Sequence, residues 1–213
     1  MTDVPGRSRT VVWEDPLASA QVTRGMSGLQ AMRAIADGTV PGAPIAALMR
    51  MRPVSVEEGT VVFACEPDES HYNPTGIVHG GLVCTLLDSV VGYAVHTTLP
   101  LGVGYTSLEI KVSYLAPVHT HSGPLLATGR VVKPGKRVAF AEGEVRDAAG
   151  KVVAGWSSCA VPRRGRAGRR CVARWRSTHP RWRRCARYGR ARRRCPALLL
   201  RWSLLPRRGG GCR

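Results

Sequence analysis

The segment Gly80–Leu99 constrains the fold more than any other part of the chain. Leu82 and Val83, Leu86 and Leu87, Val90 and Val91, and Ala94 and Val95 repeat as apolar pairs every four residues. That period is helical, and the paired stripe is wide enough to need cover over much of the circumference. Asp88 interrupts the apolar run and His96 lies near its end, with Thr85, Ser89 and Gly92 between. Those residues argue against a membrane span. The segment reads as a core helix around which other elements wrap.

The wrapping elements have strand character. RPVSVEE (52–58) and TVVFACEP (60–67) flank Gly59 as a hairpin. Four more strands are expected at Tyr105–Leu115, Leu125–Lys133, Arg137–Arg146 and Lys151–Val161. Their links, HTHSGP, PG and DAAG, are turn-forming sequences. Upstream, Ser27–Asp37 reads as a short helix capped by Ser27 and ended by Gly38. PGAPIAALMRM gives a Pro-led turn or second short helix. The order implies an α+β protein in which a long central helix is wrapped by an antiparallel β-sheet of five to six strands.

Charge divides the chain. Residues 1–161 hold 13 Lys+Arg against all 14 Asp+Glu, whereas residues 162–213 hold 19 Arg and no acid. The net +18 therefore describes the tail. We expect a flexible leader over 1–20, a globular domain over 21–161 and a disordered Arg-rich tail over 162–213. The domain, about 140 residues, is long enough for a substantial core. The opening residues lack the apolar run of a secretory signal, so a cytoplasmic location is expected. Cys65, Cys84 and Cys159 are isolated in the domain, no CxxC or Cys/His spacing suggests zinc, and no metal is expected.

The chemistry gathers in Asn73–Asp88. His79-Gly80-Gly81 stands where a polar loop becomes the long helix. The first helical turn has unpaired N–H groups and the positive end of the dipole. Glycines at 80 and 81 let a substrate approach that backbone, as an oxyanion hole requires; tight packing at a helix start is the plainer alternative. Asp88 is costly inside an apolar helix unless paired or needed. It is a candidate nucleophile or general base, or else a structural partner for a nearby Ser or Thr. Eight residues from Gly80 to Asp88 span about 12 Å of helix rise. A carbonyl held at Gly80 is out of reach of Asp88 on the same helix, so a shared reaction requires two chains related by a twofold axis. Asn73 and His79 are candidates to orient water or the acyl group, with local bonding to the loop as the alternative for His79. Ser107 is a candidate partner for the carboxylate. Lys133, Lys136 and Arg137 flank a Pro-Gly turn and are candidates for the phosphate groups of a ligand, or form a solvated hairpin tip.

Asn73, His79-Gly80-Gly81, Leu87-Asp88 and Gly92 together resemble the PaaI-type (phenylacetate-pathway-like) acyl-CoA thioesterases of the hotdog fold. The resemblance continues through GYTSLEIKVSYLAPV (104–118), GRVVKPGKRVAFAEGEVRDAAGKVVA (129–154) and PIAALMRMRPVSVEEGTVVF (44–63). It implies hydrolysis of an acyl-CoA thioester to a carboxylic acid and coenzyme A, in homodimers or dimers of dimers with shared sites. By resemblance Asp88 is nucleophile or general base and the Gly80 N–H polarises the carbonyl. Asn73 and His79 position water and acyl group, Gly81 lies against substrate, and Ser107 holds Asp88. No cofactor is implied; coenzyme A is part of the substrate. A hotdog dehydratase is disfavoured, because no second histidine is placed with an acid on the helix; His96 lies about 12 Å beyond Asp88. A hotdog protein that binds acyl-CoA or an acyl carrier without turnover is the alternative.

The family usually ends near Cys159–Val161, whereas here the Arg-rich stretch follows. It contains no Lys, Asp, Glu, Asn, Gln, Ile, Met or Phe. The missing residues mostly have AT-rich codons, so the tail reads as GC-rich DNA translated out of frame. The rival is an arm binding RNA, DNA or anionic membrane.

Overall fold

The computed structural model describes residues 6–164. The expectations for the Arg-rich tail fall almost wholly on residues 165–213 and lie outside the described part.

Four helices and six strands are described. They are α1 Pro16–Thr23, α2 Gly28–Ala36, α3 Pro44–Leu48, β1 Met51–Glu57, β2 Thr60–Cys65, α4 Gly80–Thr97, β3 Val103–Tyr114, β4 Leu125–Lys133, β5 Ala139–Arg146 and β6 Val152–Arg164. The strands form one antiparallel sheet in the order β1-β2-β4-β5-β6-β3. Helix α4 packs against every strand of this sheet, so the α+β expectation of a wrapped helix holds.

The apolar pairs explain the position of α4. All eight of the paired residues, Leu82 to Val95, are buried. They meet Val61, Phe63, Leu125, Ala127, Ala141 and Val145 from the sheet. Burying each large aliphatic side chain is worth about 1.5–3 kcal/mol, which makes α4 the main source of cohesion. Close approach is set at Gly129 of β4. A Cβ there would lie 2.4 Å from the backbone carbonyl of Val90, so only glycine lets the sheet touch the helix backbone.

The capping signals are realised in α2. Ser27 Oγ accepts from Gln30 N–H while Gln30 Oε1 accepts from Ser27 N–H, a reciprocal capping box. The structure departs from the sequence expectation at several points. The last five residues of the leader expected over 1–20 lie in α1, which Asp15 caps through Leu17 N–H. Pairing in β5 begins at Ala139, which leaves Lys136 and Arg137 in the connection. The chain there folds back so tightly that a Cβ on Gly135 would meet the Val138 carbonyl oxygen at 2.0 Å. Short 3-10 turns at Glu69–His71 and Thr120–Ser122 were not expected.

Candidate active site

Two places on α4, its start and its middle, carry the candidate chemistry. At the start, His79 is the N-cap, and its ring Nδ1 accepts from the Gly81 N–H at 2.8 Å. The Leu82 N–H goes to the His79 carbonyl at 3.0 Å. The Gly80 N–H is left without a partner among the described residues. That is the one donor an oxyanion needs, at the positive end of an 18-residue helix. The His79 ring thus accepts from the first turn of the helix instead of donating to the loop backbone. Its capping bond leaves the proton of a neutral ring on Nε2.

Gly80 lines a pocket of about 400 Å³ together with Asn73, Ile77, Val83, Tyr114 and residues 115–118. The Asn73 side-chain carbonyl is already engaged. It accepts from Thr75 N–H at 2.9 Å, Thr75 Oγ1 at 2.7 Å and Ile77 N–H at 3.3 Å. Only its amide NH2 remains free among the described residues, so Asn73 is available to a ligand as a donor. Tyr114, which the sequence reasoning did not single out, donates to the Gly80 carbonyl at 2.9 Å.

Asp88 lies two turns further along and does not line that pocket. Ser107 Oγ donates to Asp88 Oδ1 at 2.8 Å, and the second carboxylate oxygen has no protein partner among the described residues. The negative charge is felt nearby. Burial, then Asp88, pushes the Cys84 thiol and the Tyr93 phenol upward. Burial, then Tyr93 and Asp88, does the same to Tyr105. Asp88 belongs to a half-buried stripe, Gly81, Cys84, Thr85, Asp88 and Ser89, spaced as one helical face. The Thr85 and Ser89 hydroxyls bond back to the carbonyls of Gly81 and Thr85, at 2.9 and 2.8 Å, which leaves the carboxylate as the exposed polar group of the stripe.

A bulge lets β3 serve both ends. Ser107 meets Asp88 and Tyr114 meets Gly80, yet seven residues separate them, which in a regular strand means opposite faces. The register slips between Ser107 and Glu109, so that Leu108 is an extra residue. Parity flips there, and both side chains reach α4.

The basic trio stands apart from the Gly80 pocket. Lys133 ends β4, Lys136 and Arg137 lie on the β4–β5 connection, and all three are exposed. That connection lies towards the C-terminal end of α4, where Val131 N–H bonds Gly59 O at 2.8 Å and Gly59 N–H bonds Thr97 Oγ1 at 2.8 Å. No group of three or more His, Cys, Asp or Glu among the described residues is placed to hold a metal ion. No described helix is long and apolar enough to cross a membrane.

A long helix wrapped by a six-stranded antiparallel sheet defines a hotdog-type fold. Residues 75–154 match the model of the thioesterase superfamily. Human acyl-coenzyme A thioesterase 13 is 31% identical over 102 residues, covering 47% of this chain and 71% of the relative. A putative esterase of Saccharolobus solfataricus is 28% identical over 99 residues, covering 46% and 69%. Among solved structures, a phenylacetic acid degradation-related putative thioesterase from Ralstonia eutropha superposes with a TM-score of 0.57. It is 25% identical and covers 61% of this chain and 98% of that one. The Escherichia coli PaaI protein shares the fold at a TM-score of 0.56 and 21% identity, covering 64% and 94%. The chain belongs to the thioesterase superfamily, and its class of activity is thioester hydrolysis.

Proposed function

We propose that the chain hydrolyses acyl-CoA thioesters, at sites shared between two copies. The observation that carries this is the separation of a free Gly80 N–H from a Ser107-held Asp88 by two helical turns, about 12 Å. One carbonyl carbon cannot meet both groups of one chain. In a twofold pair, the Gly80 end of one copy stands beside Asp88 of the other.

The chain offers a surface for such pairing. β3 is an edge strand of 12 residues bonded only to β6. Leu108 and Ile110 on it remain 51% and 48% exposed. A long apolar edge is unfavourable unless something covers it.

In this reading the thioester carbonyl oxygen accepts from Gly80 N–H, with Gly81 allowing close approach and the Asn73 amide donating to the acyl end. His79 Nε2–H faces the bound substrate. Asp88 of the other copy either takes a proton from water, whose oxygen then attacks the carbonyl carbon, or attacks that carbon itself to give an anhydride that water cleaves. The oxyanion is held at Gly80 until it collapses, the C–S bond breaks, and the leaving thiolate takes up a proton as coenzyme A. Ser107 holds Asp88 by one oxygen and leaves the other to act. Lys133, Lys136 and Arg137 of the Asp88-bearing copy lie beyond Thr97, on the order of 14 Å along the helix. The extended pantetheine arm is of comparable length, which suits them to the nucleotide phosphates. No cofactor or metal enters the scheme. Isolated thiols at Cys65 and Cys84 suit a reducing cytoplasm.

Thiol release from a panel of acyl-CoA esters tests the proposal. Asp88→Asn should lower kcat by about 10²–10⁴-fold while leaving the melting temperature and substrate binding near those of the parent. Unchanged turnover would sink the assignment of Asp88. Binding of acyl-CoA by the parent without any thiol release would favour a carrier over an enzyme.

A further inference from the structure

The turn that presents Gly80 is held from behind by residues outside the site. His79 N–H donates to the His71 carbonyl at 2.8 Å, and Tyr72 pairs with Val78 in an isolated antiparallel bridge. Residues 71–79 thus form a closed loop whose mouth is the His71–His79 bond. Anything that moves His71 moves the N-cap of α4, and with it the direction of the Gly80 N–H.

His71 is anchored in turn. Its ring is buried, and Nδ1 accepts from the Asp68 N–H at 3.0 Å. Nε2 faces the Leu48 carbonyl at 3.4 Å. Asp68 is the hub of this cluster. Its Oδ1 accepts from Ser70 N–H at 2.9 Å and Ser70 Oγ at 2.5 Å. Its Oδ2 accepts from Arg50 at 3.0 Å and from Arg9 at 3.1 Å. Burial pushes the Asp68 carboxyl up, but the bonds from Ser70 and Arg50 outweigh it and hold the group below the usual carboxylate range.

Arg9 is the part of this cluster that comes from farthest away in sequence. It lies in the stretch 6–15, which forms neither helix nor strand. Besides reaching Asp68, its second Nη donates to the Leu48 carbonyl at 2.7 Å. Two residues before it in the chain, Arg7 pairs with Glu69. Val12 and Trp13 are largely exposed, so apolar burial does little to fasten this stretch, and the two arginines do most of it.

We propose that residues 6–15 act as a strap, and that Arg9 is a positioning residue for the oxyanion donor, working through Asp68 and His71 on the Gly80 turn. The proposal rests on the reading of Gly80 given above. Its physical need lies in the loop itself. Gly76 sits at a φ of +77°, and Gly80 and Gly81 follow, so the loop is costly in entropy to order. A hydrogen bond also weakens steeply as its donor tilts away. A glycine-rich turn that must aim one N–H needs external fastening.

Arg9→Ala and Arg9→Lys in the full chain provide the test. Arg50 still faces Asp68 in both variants, so the carboxylate is not left unpaired and the fold is retained. Hydrogen exchange of a peptide covering His71–Leu82 should quicken about tenfold in Arg9→Ala. Arg9→Lys should fall in between, and peptides from the β4–β5 hairpin should be unchanged. On any thioester the parent cleaves, Arg9→Ala should lower kcat about tenfold with KM within about twofold, and Arg9→Lys should recover part of the loss. Unchanged exchange over 71–82 would overturn the strap whatever the turnover. Faster exchange with unchanged kcat, or a loss confined to KM, would overturn the positioning role. A parent inert toward every thioester would defeat the proposed activity, while the exchange measurement would still decide the strap.

Discussion

Gly80 permits a test that removes a single hydrogen-bond donor. It is the first residue of α4, and His79 before it has φ −61° and ψ 131°. Proline is favoured at a first helical position because the N–H it lacks has no partner within the helix. The residue before proline must be extended, and His79 already is. Gly80→Pro therefore deletes the proposed oxyanion donor while keeping the backbone path. The cost of the added side chain is visible too. A Cβ at position 80 would meet Tyr114 at 3.0 Å, which is tight, but Tyr114 is 55% exposed and its ring can swing aside. Gly80→Ala carries that same cost and retains the N–H, so it is the control. Loss of one oxyanion donor costs about 10²–10³ in kcat, or about 2.7–4 kcal/mol. Steady-state thiol release should place Gly80→Ala within about tenfold of the parent, and Gly80→Pro a further 10²-fold or more below Gly80→Ala in kcat. Melting curves check that both remain folded. A Gly80→Pro enzyme within a few-fold of Gly80→Ala, or one impaired only in KM, would refute the assignment of the Gly80 N–H.

Two further expectations follow from the same geometry. Co-expressed Asp88→Asn and Gly80→Pro chains, each inactive alone, should regain roughly a quarter of the parental activity, because half of randomly paired dimers contain one intact site out of two; no recovery in mixed dimers would mean that each site lies within one chain. Gly129→Ala should destabilise by about 3 kcal/mol or more in urea melts, since its Cβ would strike the Val90 backbone at 2.4 Å, whereas Gly155→Ala, with nothing within 4 Å, should be nearly neutral; equal midpoints would contradict the packing account.

Much of the architecture was readable in the sequence because it rests on local periodicity. The apolar pairs of α4 are all buried, and Ser27 with Gln30 caps α2, since each depends on residues within a few positions of one another. What escaped depends on residues far apart. No glycine or proline marks the bulge in TSLE, so the inward pointing of both Ser107 and Tyr114 was not foreseeable from alternation. Asn73 is a local exception: its amide was a candidate to orient water or the acyl group, and Thr75 and Ile77 of its own loop occupy the carbonyl and leave the NH2. The hub at Asp68 joins Arg9 and Arg50, 59 and 18 residues away, and nothing in the linear order pairs them. Local signals located the helix and its candidate chemistry, while the tertiary contacts decided which atoms of the candidates remain free.

The bulge also bears on the proposed need for a second copy. By absorbing Leu108, β3 lays itself along α4 from Tyr105, packed on Gly92, through Ser107 at Asp88 to Tyr114 at Gly80. A strand locked at three points along a rigid helix cannot shorten the distance between the helix start and the carboxylate. No hinge within the chain brings Gly80 to Asp88 without breaking those contacts, so closing a lid cannot substitute for a partner. Along the outer edge of the same strand Leu108 and Ile110 remain about half exposed. Helix rise keeps the two proposed catalytic groups apart, while β3, laid beside them, offers the exposed apolar side chains on which the proposed second copy would pair. On this argument, a variant with a charged residue at Ile110 should lose dimer and turnover together, with Asp88, Ser107 and Gly80 all intact. Sedimentation velocity run beside the thiol assay would expose the error if such a variant were an active monomer.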